Sequence, residues 1–295
     1  MKLCVLSPAD SWHFLDLQRA AGIEHQVDSV EFATLGDLIF NDSVVSPTSR
    51  AHDPPHPLES FDCVLARAMP AGSLQQVIFR MDVLLSLERR GLRIVNPPRT
   101  IEMAVDKYLS LTELRRHGVP IPATAVSQGM SDALRHFQIL DGPVVLKPMF
   151  GSQGRGLKRI ETLEAATQQF TEVLAAGNVI YQQRFIDHGG FDFRLLVIGD
   201  EVLCMKRVNH HNWITNIAQG AIGFPHLPTP RESELALTAA RAIGAQIAGV
   251  DIVYDRATQQ PYVLEINSAP SWQAIAQVLQ VDIAKRILNY LAKAE

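Results

Sequence analysis

Apolar and polar positions along the chain follow two different periods, which predict alternating helices and strands. A helical period predicts a helix over 233–248, whose apolar positions are Ala236, Ala240, Ile243 and Ile247. Short apolar runs predict strands, and Gly199-Asp200 between two such runs is typical of a hairpin turn. The predicted strands are 3–6, 28–33, 61–66, 93–95, 142–147, 178–183, 191–198, 201–208, 250–254 and 262–266.

Capping and breaking residues locate the other helices and the first domain boundary. Thr100 suits the N-cap of a single helix that ends before Gly118. Residues 43–57, rich in Ser, Pro, Asp and His, are expected to form a loop. Asn96-Pro97-Pro98 is the clearest linker, so a first small α/β domain is expected to end at residue 96. The other predicted helices are 12–21, 73–90, 163–176 and 282–291.

Composition and charge narrow the functional classes. The 295 residues are 47% hydrophobic and 20% charged, an ordinary globular composition with enough apolar residues for two or three lobes. A net charge of -4 gives no basic excess, so we expect neither nucleic acid nor an anionic membrane as a partner. The apolar runs are too short to span a bilayer, and MKLCVLSPAD is more typical of a first strand than of a signal peptide. With 3 dispersed cysteines, we expect a cytoplasmic protein without disulfides.

A glycine-rich loop follows the predicted strand that ends at Lys147. Gly151, Gly154 and Gly156 allow the backbone to adopt positive φ angles and to turn its amides inward, which favours phosphate binding. Ser152 adds a hydroxyl group, and Lys147 adds a positive charge. The loop is not a P-loop, because no Gly-Lys-Ser/Thr follows. A glycine-rich hairpin without a ligand is the alternative interpretation.

Two acidic residues are expected to face each other near the end of the chain. Glu265 and Asn267 are two positions apart on one predicted strand, so their side chains share a face. In a hairpin with its turn near Thr258, Asp251 lies opposite Glu265, where two like charges are destabilising. A divalent cation would remove this conflict, and an all-oxygen ligand set suits Mg2+. A solvated acidic face is the alternative interpretation.

Three further polar residues carry weaker signals. Asp192 and Arg194 share a strand face, where the carboxylate could accept ribose hydroxyls and the guanidinium could clamp a phosphate or a carboxylate. A surface ion pair is the alternative for these two residues. Lys107 follows Asp106 in a predicted helix and, on its own, is an exposed helical lysine.

These motifs, in this order, resemble the ATP-grasp superfamily and, within it, the RimK-type amino-acid ligases. The resemblance covers nearly the whole chain and is carried by the strings KPMFGSQGRG, DFRLLVIGD, AGVDI and LEINSAP. It implies an α/β chain with the ATP-grasp fold, in which a small α/β preATP-grasp domain precedes two α+β lobes that clasp ATP. The implied domains are 1–96, a small lobe with a glycine-rich lid at 97–183, and a large lobe with a Mg-binding hairpin at 184–295.

The resemblance also implies roles for the residues of the nucleotide site. Two lysines are expected to reach the ATP phosphates, residues 151–156 to cover them, and the backbone of the hinge at 183–186 to contact adenine. The implied ATP-binding residues are Lys107, Lys147, Gly151, Ser152, Gly154, Gly156, Gln183, Arg184, Phe185 and Asp192. The implied ligands of Mg2+, for which Mn2+ could substitute, are Asp251, Glu265 and Asn267.

The resemblance assigns the remaining site residues to catalysis and to the acceptor. Arg194, Lys147 and Asn216 match residues near the reacting phosphate. Arg184 stands where the family usually has a glutamate, and residues 217–220 and 271–272 also depart from the family pattern. These departures indicate a specialised acceptor site. The residues expected to face the acceptor are Arg67, His211, Trp213 and Trp272.

The activity implied by the resemblance is ATP-dependent ligation of a carboxylate to an amine through an acyl phosphate. We expect an amino acid such as glutamate to be added to a small-molecule or peptide acceptor, whose identity the sequence does not specify, and we leave a homo-oligomer open. Two other classes remain: an ATP-grasp kinase or carboxylase, and a nucleotide-binding regulatory protein without turnover. The retained metal-ligand residues argue against the regulatory protein.

Overall fold

The first part of the chain forms a parallel sheet flanked by helices. The computed structural model describes residues 1–38, 43–46, 56–67, 69–151 and 154–293. The elements of this part are β1 (Lys2–Leu6), α1 (Trp12–Ala21), β2 (Gln26–Val30), β3 (Gly36–Leu38), β4 (Ser43–Ser46), β5 (His56–Pro57), β6 (Cys63–Ala66), α2 (Leu74–Arg89) and β7 (Arg93–Val95). The sheet has the strand order β2-β1-β6-β7, and all its neighbouring strands are parallel.

Two expectations for this part are corrected by the structure. The strand predicted over 28–33 is Gln26–Val30. The expected loop over 43–57 contains strands at both of its ends, because β4 pairs with β3 and with β5 in a small antiparallel sheet. Residues 47–55 lie outside the described ranges.

A second sheet is antiparallel and packs on two helices. The next elements along the chain are α3 (Pro98–Val105), α4 (Lys107–Arg116), β8 (Thr124–Ser127), α5 (Met130–Ile139), β9 (Val144–Lys147), β10 (Lys158–Ile160), α6 (Leu163–Ala175) and β11 (Ile180–Arg184). The strand order is β10-β9-β11-β8. Phe137 of α5 and Phe170 of α6 are buried against this sheet together with Ile180. The sequence analysis predicted neither β8 nor α5.

The single helix predicted from Thr100 to Gly118 is two helices in the structure. The Asp106 carboxylate accepts from the backbone N–H groups of Tyr108 and Leu109, so it caps the start of α4 and separates it from α3. Thr100 lies inside α3 and is not an N-cap. Its buried hydroxyl donates to the carbonyl of Ile243 at 2.8 Å.

The last sheet carries the two hairpins that the sequence predicts. Its elements are β12 (Phe191–Ile198), β13 (Glu201–Val208), β14 (Ile222–His226), α7 (Pro230–Ala242), β15 (Ile247–Tyr254) and β16 (Pro261–Asn267), followed by α8 (Gln273–Leu279) and α9 (Ile283–Lys293). The strand order is β14-β13-β12-β15-β16, and all pairs are antiparallel. The bounds of β12 and β13 agree with the prediction.

The helix predicted over 233–248 is wrong at both ends. Thr229 and Glu232 form a capping box, so α7 begins at Pro230. Gly244, with a φ of +70°, follows the end of the helix, and Ile247 already belongs to β15.

The first sheet and the last sheet share one hydrophobic core. Leu3 and Val5 of β1 belong to the same buried cluster as Leu196 of β12 and Ile287 of α9. Asn96, in the expected linker, is only 1% exposed and lies inside this interface. Among the described residues, no helix is long and apolar enough to cross a membrane.

Candidate active site

The β15–β16 hairpin places the predicted acidic residues as the sequence analysis expected. Asp251 is paired directly with Glu265 in the register of the two strands. Asn267 follows on the same face of β16, and its Nδ2 donates to Glu265 Oε1 at 3.2 Å. The amide oxygen of Asn267 thus remains available to a ligand beside two carboxylates.

Two arginines compensate the charge of Asp251. Arg194 Nη1 donates to Asp251 Oδ1 at 2.7 Å, and Arg207 Nη2 lies 3.0 Å from Asp251 Oδ2. Burial alone would raise the pKa of Asp251, but the two guanidinium groups hold that pKa below its usual range. The two arginines therefore supply part of the positive charge that the pairing of Asp251 with Glu265 requires, so the prediction of a cation site depends on the oxygen donors and not on the charge conflict alone.

Arg207 is a site residue that the sequence analysis missed. Its Nε donates to Asp192 Oδ1 at 2.7 Å, its Nη2 donates to Asp192 Oδ2, and it is 5% exposed. Asp192 is therefore the buried partner of an arginine, which was not predicted, although it still lines the crevice. A signal did exist, since a hairpin that turns at Gly199-Asp200 places residue 192 opposite residue 207.

Lys147 is held by the side chain of Gln183. Lys147 Nζ donates to Gln183 Oε1 at 2.7 Å, and Gln183 Nε2 donates to Thr124 Oγ1 at 2.9 Å. Gln183 is 1% exposed, so its side chain positions the lysine and is not directed at a nucleotide base. The side chain of this predicted hinge residue therefore holds Lys147 in place.

In the glycine loop, residues 151–156, the three glycines have the positive φ angles that the sequence predicts. Gly151, Gly154 and Gly156 have φ angles of 140°, 70° and 74°. A Cβ at Gly154 would lie 2.6 Å from Asn216 Oδ1, so the loop approaches Asn216 closely. Lys107 Nζ donates to the Gly151 carbonyl at 2.8 Å and thereby ties α4 to the loop. The predicted ligand Ser152 lies outside the described residues.

The hinge residues surround an aromatic cluster. The N–H groups of Arg184 and Phe185 donate to the carbonyls of Ala123 and Pro143, at 2.7 Å and 2.8 Å. The Phe185 ring lies 4.2 Å from the Arg159 guanidinium and meets Trp213 edge to face at 5.8 Å. Trp213 was expected to face the acceptor, but this contact places it at the hinge. Arg159 was not predicted at the site.

The other residues expected at the acceptor have different surroundings. Trp272 was expected to face the acceptor, but it is fully buried and its Nε1 donates to Asp16 Oδ2 at 2.9 Å. Arg67 is buried and its guanidinium stacks over the Trp272 ring at 4.4 Å. His211 is exposed, and its backbone N–H donates to Asn209 Oδ1.

One crevice between the second and the last sheet gathers most of the predicted residues. Its lining includes Lys107, Lys147, Gly151, Gly154, Gln183, Arg184, Phe185, Asp192, Trp213, Asn216, Asp251 and Glu265, together with Arg207 and His188. Its acidic end offers carboxylate and amide oxygens, which are the donors that Mg2+ prefers, so the residues fit that ion. Among the described residues, no three His, Cys, Asp or Glu side chains lie close enough together to hold a metal. The predicted site has only two carboxylates, and its third oxygen donor is the amide of an asparagine.

Gly249 makes room for Arg194, and we expect its replacement by alanine to lower activity more than stability. A Cβ at this position would lie 2.7 Å from the Arg194 guanidinium and 2.9 Å from Pro270 Cβ. The flexible guanidinium would move away from Asp251, and turnover should fall by about tenfold or more. The measurement is steady-state ADP release together with urea unfolding.

The matched control for Gly249→Ala is Gly223→Ala. A Cβ at Gly223 would meet Val278 Cγ2 at 2.9 Å, which is comparable crowding away from the crevice. Equal loss of turnover in the two variants would show that Gly249 is only a packing position.

The lowered pKa of Lys147 predicts how KM for ATP changes with pH. Burial lowers the pKa of Lys147 to about 8, although Glu265 partly offsets this effect. Below about pH 8, Lys147 is already protonated before ATP binds. Above about pH 8, Lys147 is neutral in the free enzyme, so it must take up a proton when the ATP anion binds. We therefore expect KM for ATP to be flat below about pH 8 and to rise by up to about tenfold per pH unit above it.

The measurement is KM for ATP between about pH 7 and about pH 9.5, where lysine with a lowered pKa titrates. Lys147→Arg, whose guanidinium stays charged, should show no such rise. A wild-type KM that does not change over this range would contradict the assignment of the lysine to the phosphates.

Comparison with known proteins identifies the family of the chain. A sequence profile of the RimK-like ATP-grasp domain matches residues 104–291. The probable α-L-glutamate ligase of Pseudomonas savastanoi is 31% identical over 297 residues, covering 99% of this chain and 96% of that protein. The tetrahydromethanopterin:α-L-glutamate ligase of Methanosarcina acetivorans is 29% identical over 262 residues, covering 79% of this chain and 81% of its own length.

Solved structures show the same fold. The ATP-grasp ligase PsnB in complex with a minimal precursor has a TM-score of 0.74 at 19% identity, covering 99% of this chain and 98% of its own. A Chryseobacterium gregarium RiPP-associated ATP-grasp ligase, solved with ADP and with a leader and core peptide, has a TM-score of 0.75 at 17% identity and covers 100% and 97%.

The chain belongs to the RimK-like ATP-grasp family. It is an ADP-forming ligase that joins a carboxylate to an amine at the expense of ATP. The fold class and the ligase class that the sequence implied are thereby confirmed.

Proposed function

We propose that this ligase joins the amine of an amino acid such as glutamate to a carboxylate of a small molecule or a peptide. The main support for this proposal is the crevice, which is lined by two lysines and by the paired carboxylates of the β15–β16 hairpin. Arg194 pairs with one of these carboxylates. The names of the full-length relatives support glutamate as the amino acid. The structures with peptides support a peptide as one kind of acceptor.

In the proposed reaction, a substrate carboxylate oxygen attacks the γ-phosphorus of ATP, and the bond to ADP breaks. The amine then attacks the resulting acyl phosphate, so that an amide forms and inorganic phosphate leaves. Phosphoryl transfer of this kind needs positioning and charge neutralisation more than covalent help. Lys147 and Lys107 line the crevice, and Arg194 pairs with Asp251 at its acidic end. All three can neutralise charge as it develops.

Asp251, Glu265 and Asn267 would hold Mg2+, and Mn2+ could occupy the same oxygen donors. The ion would supply charge compensation to the phosphates. The protein contributes the rigid hairpin that keeps these oxygens together and the arginines that keep Asp251 ionised.

The glycine loop and Asn216 would protect the acyl phosphate. Since an acyl phosphate hydrolyses readily, the site must exclude water between the two steps. The hydrogen bond from Lys107 attaches the loop at Gly151, and Gly154 lies close to Asn216. The hinge backbone and the Phe185 ring would hold the adenine.

The test is ADP release by the wild-type protein with glutamate and a panel of carboxylate acceptors, followed by mass spectrometry of the products. An acceptor that gains one glutamate residue, with one ADP released for each amide formed, supports the proposal. ADP release with a phosphorylated or carboxylated product instead of an amide would favour a kinase or a carboxylase. ATP binding without ADP release under any condition would favour a regulatory protein.

A further inference from the structure

Polar side chains converge at the switch point of the first sheet. From β1 the chain passes through α1 to β2 on one side, whereas β6 and β7 lie on the other side of β1. In parallel α/β sheets, ligands bind outside the carboxyl ends of the strands at such a point. Arg67 directly follows β6, and α1 begins there with Ser11 as its cap, so its positive end faces the same side.

Arg67 is a buried cation that lacks a carboxylate partner in the described ranges. It is 7% exposed, its Nη2 donates to the Pro270 carbonyl at 2.8 Å, and its Nε has no hydrogen-bond partner there. Burial without a counter-ion lowers its pKa to about 9. An unpaired buried charge is destabilising, and an anionic ligand that completes its hydrogen bonds would remove that cost.

Two neutral polar groups lie beside this cation. His13 Nε2 and Ser271 Oγ are 3.0 Å apart, and the His13 ring packs against Trp272 at 4.6 Å. Burial and, secondarily, the charge of Arg67 lower the pKa of His13 to about 3, so its imidazole is neutral at working pH. Ser271 is exposed and His13 is half-buried, so this cluster opens to solvent.

The cluster adjoins the reacting end of the crevice. Arg67 bonds to the carbonyl of Pro270, and the side chain of Pro270 lies next to Gly249. Gly249 in turn contacts Arg194, which pairs with Asp251. The cluster is therefore separated from Arg194 only by Pro270 and Gly249.

We propose that Arg67, His13 and Ser271 form a subsite for a non-reacting carboxylate of a substrate. This inference rests on the proposed ligase function and specifies how a substrate is held. The reacting carboxylate is then a second group, which must reach the acidic end of the crevice, where Arg194 pairs with Asp251. The non-reacting carboxylate could come from a dicarboxylic amino acid such as glutamate or from the acceptor.

A binding experiment tests the subsite without turnover. The chain has 3 tryptophans, and Trp12 and Trp272 both contact His13. In a Trp213→Phe protein the fluorescence therefore reports on this cluster alone. We expect a saturable change on titration with glutamate or glutarate, weakened by about tenfold to a hundredfold in Arg67→Met and lowered in His13→Phe.

The control is Arg93→Gln, since Arg93 begins β7 at the opposite end of the same sheet and donates to the Leu291 carbonyl. In the Trp213→Phe background, Arg93→Gln should not change the binding of glutamate or glutarate. Absence of a saturable change with either probe, or a change that survives Arg67→Met, would overturn the subsite even if the enzyme proves to be a glutamate ligase.

Kinetics then identify the source of the carboxylate. In Arg67→Met, KM for one substrate should rise about tenfold to a hundredfold while KM for ATP stays constant. A rise for glutamate assigns the subsite to the amino acid, and a rise for the acceptor assigns it to the acceptor. Equal rises for all substrates, ATP included, would show a structural role and refute the proposal.

Discussion

Glu265→Gln is expected to lower ADP formation by at least about a hundredfold while the protein stays folded. Loss of a hydrogen bond that supports a metal ligand already lowers metal affinity or activity by about 10–100-fold. Glu265→Gln removes the charge of a proposed ligand itself. Glu265 pairs with Asp251 across the hairpin, and the only side-chain hydrogen bond it makes among the described residues comes from Asn267, which an amide can also accept. Steady-state ADP release and a urea unfolding curve measure the two effects separately.

Asp255→Asn is the matched control for this prediction. Asp255 is a partly exposed carboxylate in the turn of the same hairpin, where it accepts from the backbone N–H groups of Ala257 and Thr258. It should retain turnover, because it lies outside the crevice lining. Near wild-type ADP release in Glu265→Gln would show that the hairpin does not bind the metal.

Arg207→Met is expected to destabilise the protein by about 3–5 kcal/mol, the usual cost of removing one partner from a buried ion pair. Arg207 is the partner of both oxygens of Asp192, and it also lies 3.0 Å from Asp251. Asp251 keeps Arg194 in the variant, whereas Asp192 becomes a buried carboxylate without a cation. The free energy of unfolding in urea gives the effect.

A double variant separates charge from packing in this case. Arg207→Met combined with Asp192→Leu removes both charges, and replacement of a buried pair by apolar residues is often neutral or stabilising. The double variant should therefore be more stable than Arg207→Met alone. If Arg207→Met costs less than about 1 kcal/mol, the pair is not the buried ion pair that the geometry describes.

The sequence predicted the parts of the site that depend on local geometry. A two-residue turn at Gly199-Asp200 fixes the register of β12 and β13, and strand alternation then orients the side chains. The pairing of Asp251 with Glu265 followed from the same reasoning, even though a bulge shifts the register just after Asp251. The glycine loop was recognisable because its positive φ angles require glycine.

Two of the incorrect predictions concern residues whose structure depends on contacts with parts of the chain that are distant in sequence. The apolar residue at position 247 fits a helical period, but it is buried in a strand whose partner, β12, lies earlier in the chain. Trp272 is covered by α1 and by Arg67, which are far away in sequence, so its burial cannot be inferred from its neighbours. Asp106 was a local signal, since a carboxylate that caps α4 divides the predicted helix, but it was overlooked.

Asn96 ties the first sheet to the hairpin of β15 and β16, which carries the proposed metal ligands. Its Nδ2 donates to the carbonyls of Ile247 and Ser268, and its Oδ1 accepts from the N–H groups of Gln246 and Ile247. The segment that matches the family profile, 104–291, contains neither Asn96 nor the β1 residues of the shared core. Expressed alone, that segment would expose the apolar face that β1 covers, so we expect it to fold poorly even though residues 1–96 contribute nothing to the described crevice lining.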